Sequence, residues 1–255
     1  MLPNWVWSMV EKRYVFFPTS EIEMTPADVG LEFQDLFFPT ANGNLLHGWL
    51  VPGSGNGTWL WFHGNGGNIG HRVIELALLH QRLAVSVLIF DYQGYGRSEG
   101  KPSELGTYQD ARAALDQLRH IKGEESEPVV YYGHSLGTAI AVKLAAEQPP
   151  TGLVLVSPFT SISDMAGRAF PWLPVSWLVR GHYDTLSVIP NVNSPVLFLH
   201  GEEDELVPFA HGERLFRAAR EPKAFQALAQ TGHNDTFQTG GEVYWGAIEG
   251  FLDRM

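Results

Sequence analysis

The chain of 255 residues contains no cysteine. Disulfides, zinc ribbons, iron–sulfur clusters, redox dithiols and thiol nucleophiles are thereby excluded, so any nucleophile is an oxygen or a nitrogen. Basic residues are also scarce: 17 Lys and Arg face 28 Asp and Glu, a formal net charge of −11, and they form no run. Nucleic acid is therefore not expected as a partner, because binding its phosphates needs a positive patch. Long apolar stretches are missing too. None reaches the roughly 18 to 20 residues of a membrane-spanning helix, and the N-terminus lacks the basic and apolar regions of a signal peptide. A soluble, cytoplasmic protein is expected, with nothing in the sequence to support membrane contact. Metal-site patterns are lacking as well, with no His-Glu-x-x-His and no dense histidine cluster, so neither metal nor cofactor is expected.

What remains is an ordinary globular composition, 44 % hydrophobic and 18 % charged. The length suits one α/β domain over residues 1–255. Short apolar or β-branched runs alternate with helical patterns, the rhythm of βαβ units around a largely parallel sheet. Asn42-Gly43 lies between two apolar runs within residues 33–51 and predicts a tight hairpin at the start of the sheet. Buried strands are expected at 59–62, 85–90, 129–132, 153–156 and 196–200, with a weaker one at 224–228. Helices are expected at 71–83, 111–121, 136–147 and 242–254, with Thr107 and Asp110 read as a capping box for the second. The interval after the fourth of those strands is too long for a plain connection and holds Phe159, Phe170, Trp172 and Trp177. It is a candidate substrate-facing insertion, at about 158–193.

The strongest chemical signal is Val-Val-Tyr-Tyr-Gly-His-Ser-Leu-Gly at 129–137, a strand running through Gly-x-Ser-x-Gly into an alanine-rich helix. That is the setting of a nucleophile elbow, in which Ser135 sits on a strained turn and Gly133 and Gly137 let the backbones pass closely. A serine hydroxyl needs a base to take its proton, and the base needs an acid to orient it. Asp204 and His233 follow successive strands, 69 residues beyond the serine and 29 beyond the aspartate, in the order the elbow demands. The neighbouring Glu202, Glu203 and Glu205 compete with Asp204 for the acid role. His-Gly-Asn-Gly-Gly-Asn at 63–68 follows the strand at 59–62. Its backbone is expected to supply one oxyanion donor at Asn65, with Gly66 the near alternative, and Leu136 the other. A dinucleotide-binding reading of the same loop fails, since Ile69 stands where glycine or alanine is needed and Asp91 lies 27 residues beyond Gly64. The turn at 91–98 is read as one held by side-chain hydrogen bonds.

Together these residues resemble the α/β-hydrolase superfamily over about residues 30 to 255. The stretches 62–72, 91–100, Ser-Pro-Phe-Thr-Ser at 157–161 and Gly-His-Asn-Asp at 232–235 are similar to its bud-emergence-type branch, which includes lipid hydrolases and protein depalmitoylases. The resemblance implies an eight-stranded, mostly parallel sheet flanked by helices, with Ser135, Asp204 and His233 as triad. Membrane anchors of eukaryotic members, an N-terminal helix or acylated cysteines, find no counterpart in the short lead at 1–17. The resemblance also suggests a small, partly open lid at about 158–193. The expected activity is hydrolysis of a small-molecule carboxylic ester or thioester through an acyl-enzyme, with Phe159, Phe170, Trp172 and Trp177 forming the acyl wall. The alternatives are a small-amide peptidase using the same triad and a non-catalytic binding protein on a hydrolase scaffold. Nothing in the sequence bears on oligomeric state.

Overall fold

The computed structural model describes residues 14–55, 57–123, 128–169 and 182–255. Eight strands form one sheet: β1 (Gln34–Pro39), β2 (Leu45–Val51), β3 (Thr58–Phe62), β4 (Ser86–Phe90), β5 (Val129–His134), β6 (Gly152–Val156), β7 (Val196–Gly201) and β8 (Lys223–Leu228). Their spatial order is β1-β2-β4-β3-β5-β6-β7-β8. The β1–β2 and β2–β4 pairs are antiparallel and every other pair is parallel. The first hairpin is not a two-residue turn. Thr40 N–H donates to the Asn44 carbonyl at 2.9 Å, leaving a three-residue loop in which Gly43 takes φ 87°, the left-handed position that asks for glycine.

Strands β3 to β7 read as continuous apolar runs because both faces of the sheet are covered. Alternate side chains of one strand enter different cores. Leu60, Phe90, Tyr131 and Phe198 pack with helices α2 (Glu104–Lys122), α3 (Leu136–Glu147) and α5 (Phe209–Ala218). Trp59, Trp61, Ile89 and Tyr132 pack on the opposite face with α1 (Val73–Leu83) and α6 (Gly241–Leu252). Helix α2 corrects the expected start at residue 111. Ser103 is its cap, its Oγ accepting the Gly106 N–H. Thr107 lies inside the helix and donates to the Glu104 carbonyl, while Asp110 is buried and accepts from Gln93. Thr107 and Asp110 look like a capping box because both are short polar residues, but they serve tertiary contacts.

Between β6 and β7 the described residues include α4 (Ile162–Ala169) and a helical turn at Thr185–Val188. Phe170, Trp172 and Trp177 lie outside the described residues. The chain reverses its order across the sheet between β3 and β5, which opens a crevice at their carboxyl ends. Both loops that line this crevice carry the residues singled out from the sequence.

Candidate active site

The elbow forms because β5 hands directly to α3 with one residue between them. Ser135 is that residue, at φ 52° and ψ −117°, a conformation non-glycine residues rarely hold unless the surroundings impose it. Its N–H donates to the Val156 carbonyl of β6 at 2.9 Å, and its carbonyl accepts from the N–H and hydroxyl of Thr138. A Cβ at Gly137 would run into the Phe62 carbonyl of β3, and one at Gly133 would meet the Gly137 backbone. The two glycines are what allow the helix to start against the sheet.

Ser135 Oγ lies 3.0 Å from His233 Nε2, and His233 Nδ1 lies 2.8 Å from Asp204 Oδ2. The other oxygen of Asp204 accepts the N–H groups of Leu206 and Val207 at 3.0 and 2.7 Å. Burial alone would raise this carboxyl, but hydrogen bonds from His200 and His233 and from the Val207 amide outweigh it and hold Asp204 well below the ordinary carboxylate range. Asp204 is therefore an anion that accepts a proton bond from Nδ1, which leaves Nε2 of His233 free to accept from the serine hydroxyl. Glu202, Glu203 and Glu205 are exposed. Of these, Glu205 reaches only the His233 backbone N–H, at 3.3 Å.

The loop after β3 passes against the serine: a Cβ on Gly64 would stand 3.5 Å from that of Ser135. Asn65 is held from several sides. Its carbonyl accepts from Phe17 N–H at 3.0 Å and the Tyr95 hydroxyl at 2.7 Å, and its side-chain Nδ2 donates to the Val15 carbonyl at 3.1 Å. Further along, Asn68 Nδ2 donates to Thr19 and Glu21, and Ile69 N–H donates to buried Asp91 at 3.0 Å. Among the described residues, neither the Asn65 N–H nor the Leu136 N–H has a protein acceptor. Both are available to a ligand beside Ser135.

Two cavities open at the serine. One, of ≈160 Å³, is walled by Leu136, Phe159, Ile162, Met165 and Val207. The second, of ≈400 Å³, is lined mostly by polar residues and glycines, among them Ser135, His233, the Gly64–Gly67 loop, His71 and Arg72. Phe159 is buried and reaches the apolar cavity. No group of three metal-ligating side chains occurs among the described residues, and no described helix is long and apolar enough to cross a membrane.

The pattern of the family described as serine aminopeptidase, S33, matches residues 56–188. The α/β-hydrolase domain-containing protein WAV2 of Arabidopsis thaliana is 36 % identical over 270 residues, covering 96 % of this chain and 88 % of its own. Protein bem46 of Schizosaccharomyces pombe is 33 % identical over 238 residues, covering 89 % and 79 %. The chain belongs to the α/β-hydrolase family, in its bem46-type branch. In structure, this hydrolase is similar to an esterase of Pyrococcus furiosus, with a TM-score of 0.78 at 21 % identity over 94 % of this chain and 97 % of that one. The latter likeness concerns the fold.

The hydrolase structure thus brings Ser135, His233 and Asp204 into one hydrogen-bonded chain and sets Asn65 and Leu136 beside it. Sequence reasoning missed the supports. Val15 and Phe16 of the N-terminal lead are buried, and Phe17–Pro18 pairs in parallel with Gly66–Gly67 of the loop. His200 reaches Asp204 at 3.4 Å and His134 Nε2 faces the His233 carbonyl at 3.2 Å. Burial, reinforced by His233, pushes the His134 ring down to about 3, so it remains neutral. The only sequence signal for these two was position, each at the carboxyl end of a strand that carries a site residue on its loop.

Proposed function

We propose that the protein is a serine hydrolase of carboxylic esters, thioesters included, working through an acyl-enzyme. The observation that carries this is the chain Asp204–His233–Ser135, with links of 2.8 and 3.0 Å, ending on a serine in a strained elbow. Ser135 Oγ attacks the acyl carbon while its proton passes to His233 Nε2. The tetrahedral oxyanion takes the N–H groups of Asn65 and Leu136, each worth on the order of 10² to 10³ in kcat. His233 then gives its proton to the leaving oxygen or sulfur as the acyl bond to it breaks. Water repeats the sequence on the acyl-enzyme, releasing the acid and restoring Ser135.

The apolar cavity beside Ser135 favours an acyl chain as the first half of the substrate, since Leu136, Phe159, Ile162, Met165 and Val207 present nothing polar to it. The description of the matching family as serine aminopeptidase raises amide cleavage by the same machinery. A fluorophosphonate probe tests the reading. One label on Ser135, lost in Ser135→Ala and accompanied by turnover of p-nitrophenyl esters, is expected. Labelling that survives Ser135→Ala refutes it, and turnover of small amides with none of esters would favour the peptidase.

A further inference from the structure

The cavity of ≈400 Å³ beside Ser135 has a charge pattern that the mechanism leaves unused. The whole chain carries a net charge of −11, yet no carboxylate lines this cavity, and Arg72 is its one permanently charged side chain. Arg72 Nη2 donates to the Gly66 carbonyl at 2.7 Å. Its Nε–H is buried and has no partner, and among the described residues no Asp or Glu comes within ion-pair distance of it. The guanidinium lines the cavity without a carboxylate partner, so an anion entering the cavity would meet an unpaired cation. Guanidinium is also the side chain whose fork fits carboxylate and phosphate oxygens in pairs.

Direction supports the same assignment. The apolar walls of the smaller cavity suit the acyl half of an ester, which leaves the larger cavity for the alcohol half. A third cavity that reaches His233, of ≈340 Å³, is lined by Glu203, Glu205 and Asp235. An anionic leaving group is therefore repelled there and attracted at Arg72.

We propose that Arg72 forms a leaving-group subsite selecting esters whose alcohol or thiol half carries a carboxylate or phosphate-like anion. The inference rests on Ser135 marking the position of the scissile bond. The anion takes no part in bond making, and Arg72 acts by binding it.

Three butyrate esters of equal framework test this: those of 4-hydroxybenzoate, 4-hydroxyphenylphosphonate and methyl 4-hydroxybenzoate. For each anionic ester the quantity read is its kcat/KM relative to the neutral one. Comparing that ratio between wild type and Arg72→Gln cancels the intrinsic reactivity of the phenols. A fall of tenfold or more in Arg72→Gln, with partial retention in Arg72→Lys, is expected. The two anionic arms tell carboxylate from phosphate recognition. An unchanged ratio, or equal loss on charged and neutral esters, overturns the proposal and makes Arg72 a brace for Gly66. In Ser135→Ala protein, calorimetric dissociation constants for the same esters should weaken at least fivefold more for the anionic ones when Arg72→Gln is added. That arm involves no turnover, so it fails only with the subsite, whereas the fluorophosphonate label fails only with the catalytic reading. Should Arg72→Gln not fold, salt decides: KM of wild type for the anionic esters should rise between about 0.05 and 0.5 M NaCl relative to the neutral ester, as screening shortens the reach of the charge, and an equal response overturns the proposal.

Discussion

Asp204 gives one carboxylate oxygen to His233 Nδ1, at 2.8 Å, and the other to the N–H groups of Leu206 and Val207. The side chain is thus fixed by its own loop before it fixes the histidine. Asp204→Asn keeps the shape but offers the wrong group to Nδ1, turning the imidazole to the tautomer that donates at Nε2. We expect kcat for ester hydrolysis to drop by on the order of 10⁴ while the protein remains folded, as in serine-protease triads. Glu202→Gln, Glu203→Gln and Glu205→Gln should each remain within a few-fold of wild type, since these side chains are exposed. A collapse in one of the three with Asp204→Asn unaffected would reassign the acid.

Tyr95 gives a second measurement, this time on the loop proposed to hold the oxyanion. Its hydroxyl donates to the Asn65 carbonyl at 2.7 Å, alongside the Phe17 N–H at 3.0 Å. Tyr95→Phe removes one of the two anchors on that peptide and leaves the ring in the core. Loosening a donor that acts in the transition state lowers kcat rather than binding. The expected result is a loss of about tenfold in kcat at nearly constant KM. A purely structural role would instead lower the melting temperature and leave kcat of the folded enzyme alone.

The elbow, the central strands and the Ser135, Asp204, His233 constellation were legible because each depends on local pattern: glycines where backbones cross, apolar runs where both faces of a sheet are covered, and short polar loops after strands. The start of α2 was not, since Ser103 was the cap while Thr107 and Asp110 imitated one. Support for the oxyanion loop was invisible for a different reason. The bonds from Tyr95 and Phe17 to Asn65 join residues 30 and 48 positions apart, and neither spacing has a period. Phe159 was singled out by its crowding with other aromatics, whereas Ile162 and Met165, which line the same cavity from α4, gave no such signal.

On the proposed ester-hydrolase reading, these walls set the acyl length. Met165 and Ile162 of α4 line the apolar cavity together with Phe159. Met165→Trp adds bulk at a half-buried position and should shorten the preferred acyl chain of p-nitrophenyl esters, by two carbons or more. Phe159→Ala empties part of the wall and should lengthen it, at a stability cost of about 3 to 5 kcal/mol for truncating a buried phenylalanine. Chain-length profiles that move in neither variant would place the acyl group elsewhere.

A last expectation concerns pH and the turn below the site. Asp110 is fully buried on α2, where the N–H and side-chain amide of Gln93 donate to it at 2.9 and 2.6 Å. Burial outweighs these hydrogen bonds and pushes its carboxyl up to about 7, against about 3.9 in an unfolded chain. Between these values the native protein holds a proton that the unfolded chain has released, so stability falls as pH rises through the window and levels off above it. Asp204 has the opposite sign: its depressed carboxyl contributes stability at neutral pH that is lost only in acid. Asp110→Asn removes the first effect alone. The amide also loses hydrogen bonds to Gln93, but that loss is the same at every pH. We therefore expect the stability of wild type minus that of Asp110→Asn, from urea unfolding at successive pH values, to decline between pH 4 and pH 7 and to stay flat above about pH 8. A difference constant from pH 4 to pH 8 would mean that Asp110 is ionised throughout, with the two Gln93 hydrogen bonds prevailing over burial.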